Sequence, residues 1–129
     1  MRVQVRPVGG LAVTLANLAQ FDIQTNIDRH TNSAYPDAMT ICAEGEIKAD
    51  DTRGYVAQRL TLIRAALPAS TAVLRIRTDD MPEDADTNVV CIMSSIPKGK
   101  LYSEYLIVWK GFLPYFTGVT EPTNIYQPE

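Results

Sequence analysis

The sequence has very few of the residues that build metal and catalytic sites. Among its 129 residues it has one histidine, His30, and two cysteines, Cys42 and Cys91. A structural zinc site takes four nitrogen or sulfur ligands, so this chain alone cannot assemble one of the usual kind. Each cysteine lies beside an isoleucine in a predicted strand, where a small, weakly polar side chain packs well. We therefore predict no metal and no cofactor, and we interpret both cysteines as buried free thiols.

Long apolar runs and a strong net charge are missing too. A membrane helix needs about 18 or more apolar residues in succession, and residues 1–6 lack the apolar core of a signal peptide. The net charge of −3 gives no broad attraction to nucleic-acid phosphates or anionic lipid. We therefore expect neither a membrane nor nucleic acid as a partner, and a location in the cytoplasm, or in a virion if the protein is phage-encoded.

Two short patterns come near to functional sites. Asp84, Asp86 and Asn88 have the spacing that opens a calcium loop, but Val89 stands where the glycine is required and Ser95 where the closing glutamate belongs. A solvated acidic loop is the better interpretation. His30 lies in a polar segment with carboxylates nearby, yet neither a nucleophile nor a second ligand is visible beside it. We therefore expect no catalytic residues.

The apolar pattern predicts an α+β fold with a mostly antiparallel sheet. Alternation of apolar and polar residues marks the strands. They fall at about residues 2–6, 11–21, 39–47, 72–77, 89–96 and 101–110. The last two of these strands are joined by Pro97-Lys98-Gly99-Lys100, a sequence typical of a tight turn. They should form an antiparallel hairpin.

One main helix is predicted over about residues 51–67. Asp50 and Asp51 supply N-cap chemistry and negative charge, and Pro68 ends the helix. Its apolar stripe is spaced four, three and four residues apart: Val56, Leu60, Ile63 and Leu67. We expect this stripe to pack on one face of the sheet. Because a strand stands before the helix and another after it, we also expect a right-handed crossover that joins a parallel pair.

The chain should divide into a domain and an arm. Residues 1–111 form the predicted single α+β domain, and residues 112–129 form an extended C-terminal arm. Prolines punctuate the arm and disfavour helix there, at Pro114, Pro122 and Pro128. Its aromatic residues, Tyr115, Phe116 and Tyr126, should hold it against its own domain or against a neighbouring subunit.

The strand that contains Trp109 is the most apolar segment of the chain. Tyr105, Ile107 and Trp109 lie on one of its faces, and Leu106, Val108 and Lys110 lie on the other. A strand that is apolar on both faces must be covered on both. The residues alone therefore indicate a core strand whose second face meets another layer or another subunit.

The run from Glu104 to Phe112 (EYLIVWKGF) also resembles the Tyr-Leu-x-x-Trp-Lys-Gly-aromatic signature of chromodomains. The resemblance extends weakly to Glu121-Pro122 and Asn124-Ile125 and concerns only the last third of the chain. It implies that Trp109 and Phe112 form two walls of an aromatic cage that holds methyl-lysine. The third wall of that cage would fall near Asn88, which is not aromatic.

These observations favour a non-enzymatic structural protein that assembles into a homo-oligomer. A phage virion component, such as a capsid-cement or tail protein, is the particular form we expect. The partner is then a second copy of the chain or another subunit of the assembly. The expected interface residues are the aromatic ones of the last strand and the arm: Tyr105, Trp109, Phe112, Tyr115, Phe116 and Tyr126. The alternative is a peptide-binding module that uses Trp109 and Phe112.

Overall fold

A computed structural model describes residues 1–26, 38–113, 115–119 and 124–126. Within these ranges the chain forms one helix and nine strands. In chain order they are β1 (Arg2–Pro7), β2 (Val13–Thr14), β3 (Leu18–Asn26), β4 (Ala38–Lys48), α1 (Thr52–Ala65), β5 (Thr71–Arg77), β6 (Ala85–Ser95), β7 (Tyr102–Gly111), β8 (Phe116–Gly118) and β9 (Asn124–Tyr126).

The strands form one sheet in the order β2-β1-β5-β6-β7-β4-β3, with β8 paired to β6 and β9 paired to β8. Every pairing among the described strands is antiparallel. The prediction of an α+β fold with a mostly antiparallel sheet is therefore confirmed. The predicted hairpin is confirmed as well, since β6 pairs with β7 in a register that sets Val89 opposite Gly111 and Ser95 opposite Leu106.

The predicted parallel pair is wrong. β4 precedes the helix and β5 follows it, but β7 and β6 lie between these two strands in the sheet. β4 pairs with β7 along its length, from Thr40 opposite Lys110 to Lys48 opposite Tyr102. The place beside β4, which the predicted crossover assigns to β5, is therefore taken by β7 of the β6–β7 hairpin.

The two ends of the sheet are joined by a closing segment, residues 15–17, which connects β2 to β3. The Leu15 N–H donates to the Val3 carbonyl at 2.9 Å, and the Glu46 N–H donates to the Asn17 carbonyl at 3.2 Å. The same three residues thus bond to both β1 and β4, and the sheet curls until its ends meet. The single strand predicted over residues 11–21 is corrected to two, since Asn17 has a φ of 50° and interrupts the extended chain.

The concave face of the sheet carries the core. Apart from Tyr55 on α1, the largest fully buried side chains come from six strands, and include Val3, Met39, Ile41, Leu74, Val89, Ile107, Trp109 and Phe116. α1 contacts β1, β2 and β4. The helix is 14 residues long, and in the part of the chain that is described no helix is both long and apolar enough to cross a membrane.

The helix begins as the sequence predicts, but it presents a different face to the core. Asp51 is the N-cap, and its Oδ1 accepts a hydrogen bond from the Gly54 N–H at 2.6 Å. The buried helix residues are Tyr55, Leu62 and Ala65, and not the predicted apolar stripe. Tyr55 is buried because its hydroxyl bonds to the Ser103 hydroxyl at 2.7 Å and accepts from the Gly99 N–H at 2.7 Å. The prediction that the stripe faces the sheet is therefore wrong.

The described residues of the predicted arm pair with the sheet. β8 lies antiparallel to β6, with Gly118 opposite Ala85, and the Val119 N–H donates to the Asp84 carbonyl at 3.0 Å. Phe116 is fully buried in the core. This stretch of residues 112–129 is held in the sheet of its own chain.

Candidate interaction surfaces

The structure places Trp109 in the core. Its side chain is 0% exposed, between Ile41 on β4 and Cys91 on β6. Phe112, which the chromodomain resemblance makes the second cage wall, is 57% exposed. The Phe112 N–H donates to the carbonyl of Asn88 at 3.1 Å, so the backbone, and not an aromatic side chain, meets the strand there. Trp109 therefore cannot contact a peptide unless the fold opens.

The other aromatic residues of the predicted interface also divide into buried residues and residues that reach the surface. Tyr105 and Phe116 are buried, Tyr115 is half-buried, and the Tyr126 side chain lies outside the described part of the structure. Tyr105, Trp109 and Phe116 thus stabilise the fold. Phe112 and Tyr115 are the predicted interface residues whose described side chains reach the surface.

Tyr105 holds the closing segment of the sheet. Its hydroxyl donates to the Ala16 carbonyl at 3.1 Å, and its ring lies over Gly45, the residue opposite it on β4. Burial raises the pKa of Tyr105 to about 12, because the charged phenolate is poorly solvated there. Tyr105 thus fixes the closing segment, a role that the alternation of apolar and polar residues along its strand does not indicate.

The carboxylates of the candidate calcium motif are neutralised by arginines. Asp84 accepts two hydrogen bonds from the Arg2 guanidinium, at 2.9 and 3.0 Å, and Asp86 accepts two from Arg75, at 2.8 and 3.0 Å. The hydrogen bond with Asp86 raises the pKa of Arg75. Among the described side chains, no group of three or more histidine, cysteine and carboxylate residues is placed to hold a metal ion. His30 lies outside the described residues.

The second face of β7 belongs to a patch on the convex face of the sheet. Val108 lies between Cys42 on β4 and Met93 on β6, and Leu106 is two residues before it on the same face. Leu106, Val108 and Cys42 are half-buried, while Met93 is 43% exposed. We call these four residues, together with Val90, the sheet patch. The sequence placed Leu106 and Val108 on this face. Cys42, predicted to be buried, is only half-buried here.

Carboxylates border the sheet patch on one side. Glu44, Glu46 and Glu104 line a shallow depression of about 400 Å³ together with Leu106 and Ser95. Glu46 stands directly opposite Glu104 across the β4–β7 pair. The hydroxyl of Tyr102 lies 3.0 Å from an oxygen of Glu46 and 3.3 Å from an oxygen of Glu104. The hydrogen bond to Glu46 and the nearby negative charge raise the pKa of Tyr102 to about 12.

The second surface is an apolar row along α1 and the turn that follows it, which we call the helix stripe. It consists of Val56, Leu60, Ile63 and Leu67. Three of them are well exposed, Val56 at 43%, Leu60 at 41% and Leu67 at 48%, and Ile63 is half-buried. Val56, Leu60 and Ile63, spaced four and three apart, lie in one row on α1, and Leu67 follows two residues after the helix ends at Ala65. The sequence correctly places Val56, Leu60 and Ile63 in one row, but the helix ends at Ala65, before Leu67, and the row points away from the core.

Arginines flank the helix stripe. The sequence of α1, TRGYVAQRLTLIRA, contains Arg53, Arg59 and Arg64 and no carboxylate. Arg53 and Arg64 are exposed, whereas Arg59 donates to the Ile96 carbonyl at 2.8 and 3.1 Å. The helix therefore presents an apolar row with a positive rim.

Comparison of the chain with protein-family models, with curated proteins and with solved structures gave no match.

Proposed function

We propose that this protein is a non-enzymatic structural protein that assembles with copies of itself. The observation that carries the proposal is the helix stripe, in which Val56, Leu60 and Leu67 are each more than two fifths exposed. Single apolar residues scattered over a surface are normal, but an ordered row of them on one helix face is typical of a face that packs against another element. A second subunit would cover it.

The sheet patch supports the same proposal. The strand of Trp109 has one face in the core and a second face, with Leu106 and Val108, that is only half-buried. Each surface has its own charge at its border, arginines at the helix stripe and glutamates at the sheet patch. Interfaces combine an apolar centre with a polar rim in this way.

A phage virion component, such as a capsid-cement or tail protein, is the particular form of this proposal. It agrees with a sequence poor in catalytic motifs and with a small chain that offers two surfaces for repeated contacts. Electron microscopy of the purified protein at high concentration tests this form directly. Regular rings, tubes or sheets support it, and dispersed particles of single-chain size contradict it.

Light scattering coupled to gel filtration tests the assembly itself. The wild-type protein should have a molar mass that is a multiple of its 14.3 kDa chain mass. Leu60→Lys should lower that mass, because it places a charge in the middle of the helix stripe. Leu11→Lys is the matched control, since Leu11 is 88% exposed on the β1–β2 connection and should change nothing. A wild-type protein that elutes as a monomer would contradict the proposal.

A further inference from the structure

We propose that the helix stripe of one copy packs on the sheet patch of the next copy, in a head-to-tail contact. This inference rests on the proposed self-assembly and specifies its geometry. Both surfaces are apolar at the centre, and their borders carry opposite charge. The partner is therefore a second copy of this chain, bound through two different surfaces.

A symmetric contact between two helix stripes is disfavoured by charge. If two copies of α1 pack antiparallel with Leu60 opposite Ile63, then Arg59 of one copy comes opposite Arg64 of the other. A parallel arrangement sets Arg64 opposite Arg64. The helix has no carboxylate that would offset either approach. Like charges brought together across an interface act against that pairing.

The sheet patch offers the complementary charge. Glu44, Glu104 and Asp22 are exposed on the convex face, beside or within one row of the apolar residues. Of the lysines near them, Lys48 is 3.3 Å from Glu46 and lies 5.9 Å above the ring of Tyr102. Lys48 is thus already paired, and Lys110, exposed beside Val108 and opposite Val90, is the second lysine of these strands. The three exposed carboxylates outnumber it. The arginines beside the helix stripe would meet a surface with an excess of carboxylates.

The dimensions of the two surfaces agree. Val56 and Ile63 are seven residues apart, which corresponds to about 10 Å along α1, and Leu67 lies just beyond the end of the helix. The four strands β6, β7, β4 and β3 lie side by side, and at about 4.8 Å between neighbours they span about 14 Å. A helix that crosses these strands therefore keeps its whole stripe over the apolar and acidic part of the sheet.

One chain cannot satisfy the two surfaces by itself. α1 lies on the concave side of the sheet, where Tyr55 bonds to Ser103, while the sheet patch lies on the convex side. Each added copy therefore covers one exposed surface of its neighbour and leaves its own second surface, a helix stripe or a sheet patch, uncovered. A heterologous contact of this kind closes into a ring if the rotation permits, and otherwise continues as a filament.

Two complementary variants test this geometry. The first carries Leu60→Lys and Leu67→Lys and has a defective helix stripe. The second carries Met93→Lys and Glu104→Lys and has a defective sheet patch. Because all four changes add positive charge, the two defective surfaces repel each other. Each variant alone should remain at the 14.3 kDa chain mass, and an equimolar mixture should form a dimer of twice that mass through its one intact pair of surfaces.

The control adds two lysines elsewhere. Val8→Lys with Leu11→Lys replaces two side chains that are highly exposed, and this protein should assemble like the wild type. Circular dichroism of each variant confirms that it is folded. If Met93→Lys disturbs the fold, Glu44→Lys with Glu104→Lys takes its place, since both of these side chains are exposed.

The outcomes separate this inference from the proposed function. A wild-type protein that is monomeric overturns both. A wild-type oligomer that survives the sheet-patch changes, or variants that fail to combine when they are mixed, overturns the head-to-tail contact and leaves self-assembly in place. Dimers that appear only in the mixture support the contact.

Discussion

At the scale of single residues, Gly45 and Tyr105 depend on each other. The Tyr105 ring passes over Gly45, and its hydroxyl bonds to Ala16 in the closing segment. A strand glycine often marks such a close approach, because any side chain would occupy the space. The closure of the sheet therefore depends on the absence of a side chain at Gly45 as much as on the hydroxyl of Tyr105.

Gly45→Ala should be strongly destabilising. The new Cβ would collide with the Tyr105 hydroxyl and would lie 2.7 Å from the Asn17 carbonyl, which is backbone and cannot turn aside. Overpacking of a core costs about 1–3 kcal/mol, and we expect the upper part of that range in the free energy of urea unfolding. Gly111→Ala is the control. Its nearest contacts would be 3.2 Å, so a loss as large as that of Gly45→Ala would contradict this account.

Tyr105 should also make stability depend on pH in the alkaline range. Its pKa in the folded protein is about 12, against 10 in its ordinary state, so the unfolded chain releases the phenol proton first. The free energy of unfolding is then unaffected below pH 10 and falls as the pH rises from 10 to 12. Tyr102, with a pKa of about 12, contributes in the same direction.

Tyr105→Phe removes the hydroxyl and so tests both its hydrogen bond and its contribution to the pH dependence of stability. It should cost about 1 kcal/mol at neutral pH, because the hydrogen bond to Ala16 is lost. It should also make the alkaline fall in stability shallower than that of the wild type. Urea unfolding at pH 8 and pH 11 measures both quantities. An unchanged difference between the two pH values would show that Tyr105 does not hold its proton as described.

Single residues also show what sequence patterns can and cannot predict. The alternation of Tyr105, Ile107 and Trp109 correctly predicts that they share a buried face. The resemblance to a chromodomain signature compares residue types only and carries no information on burial. The burial of Tyr55 was not predictable either, since its partners Ser103 and Gly99 come from the far hairpin.

At the scale of elements, α1 shows that an apolar pattern can predict a helix correctly and still predict the wrong face of that helix to be buried. The buried residues Tyr55 and Leu62 each directly precede a member of the predicted stripe, and Ala65 lies two residues before Leu67. The sequence favours the purely apolar row because amphipathic side chains, such as Arg59, resemble surface residues. Arg59 donates to the Ile96 carbonyl just after β6, and the Tyr55 hydroxyl accepts from the Gly99 N–H in the hairpin turn; only the tertiary structure brings these groups near.

The N-cap of α1 gives a prediction at this scale. Asp51→Ala removes the acceptor for the Gly54 N–H and should lower the free energy of unfolding by about 1 kcal/mol. Asp50→Ala removes the same charge one residue earlier and should have a smaller effect. Chemical denaturation of both variants measures the difference. Equal losses would mean that the charge, and not the cap hydrogen bond, stabilises the helix.

The order of the strands is the part of the fold that local patterns predict least. Strand positions and the β6–β7 hairpin follow from alternation and from a turn of four residues. The partner of β4, in contrast, is β7, more than fifty residues away in sequence at Ile41 and Trp109. Pairings at such separations depend on which apolar faces can be covered together, and a short sequence window does not contain that information.

At the scale of the whole molecule, a small net charge conceals a separation of charge. The chain has a net charge of −3, yet α1 carries three arginines and no carboxylate, while Glu44, Glu46 and Glu104 meet on the convex face. The separation coincides with two apolar surfaces that lie on different sides of the sheet. The composition correctly indicates an ordinary globular chain, but it averages out the feature on which the proposed assembly depends.

Whether these surfaces are subunit contacts is decided by the molar mass of the wild-type protein in solution. Sedimentation velocity over a wide range of concentration should show species heavier than the 14.3 kDa chain, with the share of heavier species rising as the protein is concentrated. A single species at 14.3 kDa at every concentration would contradict the account.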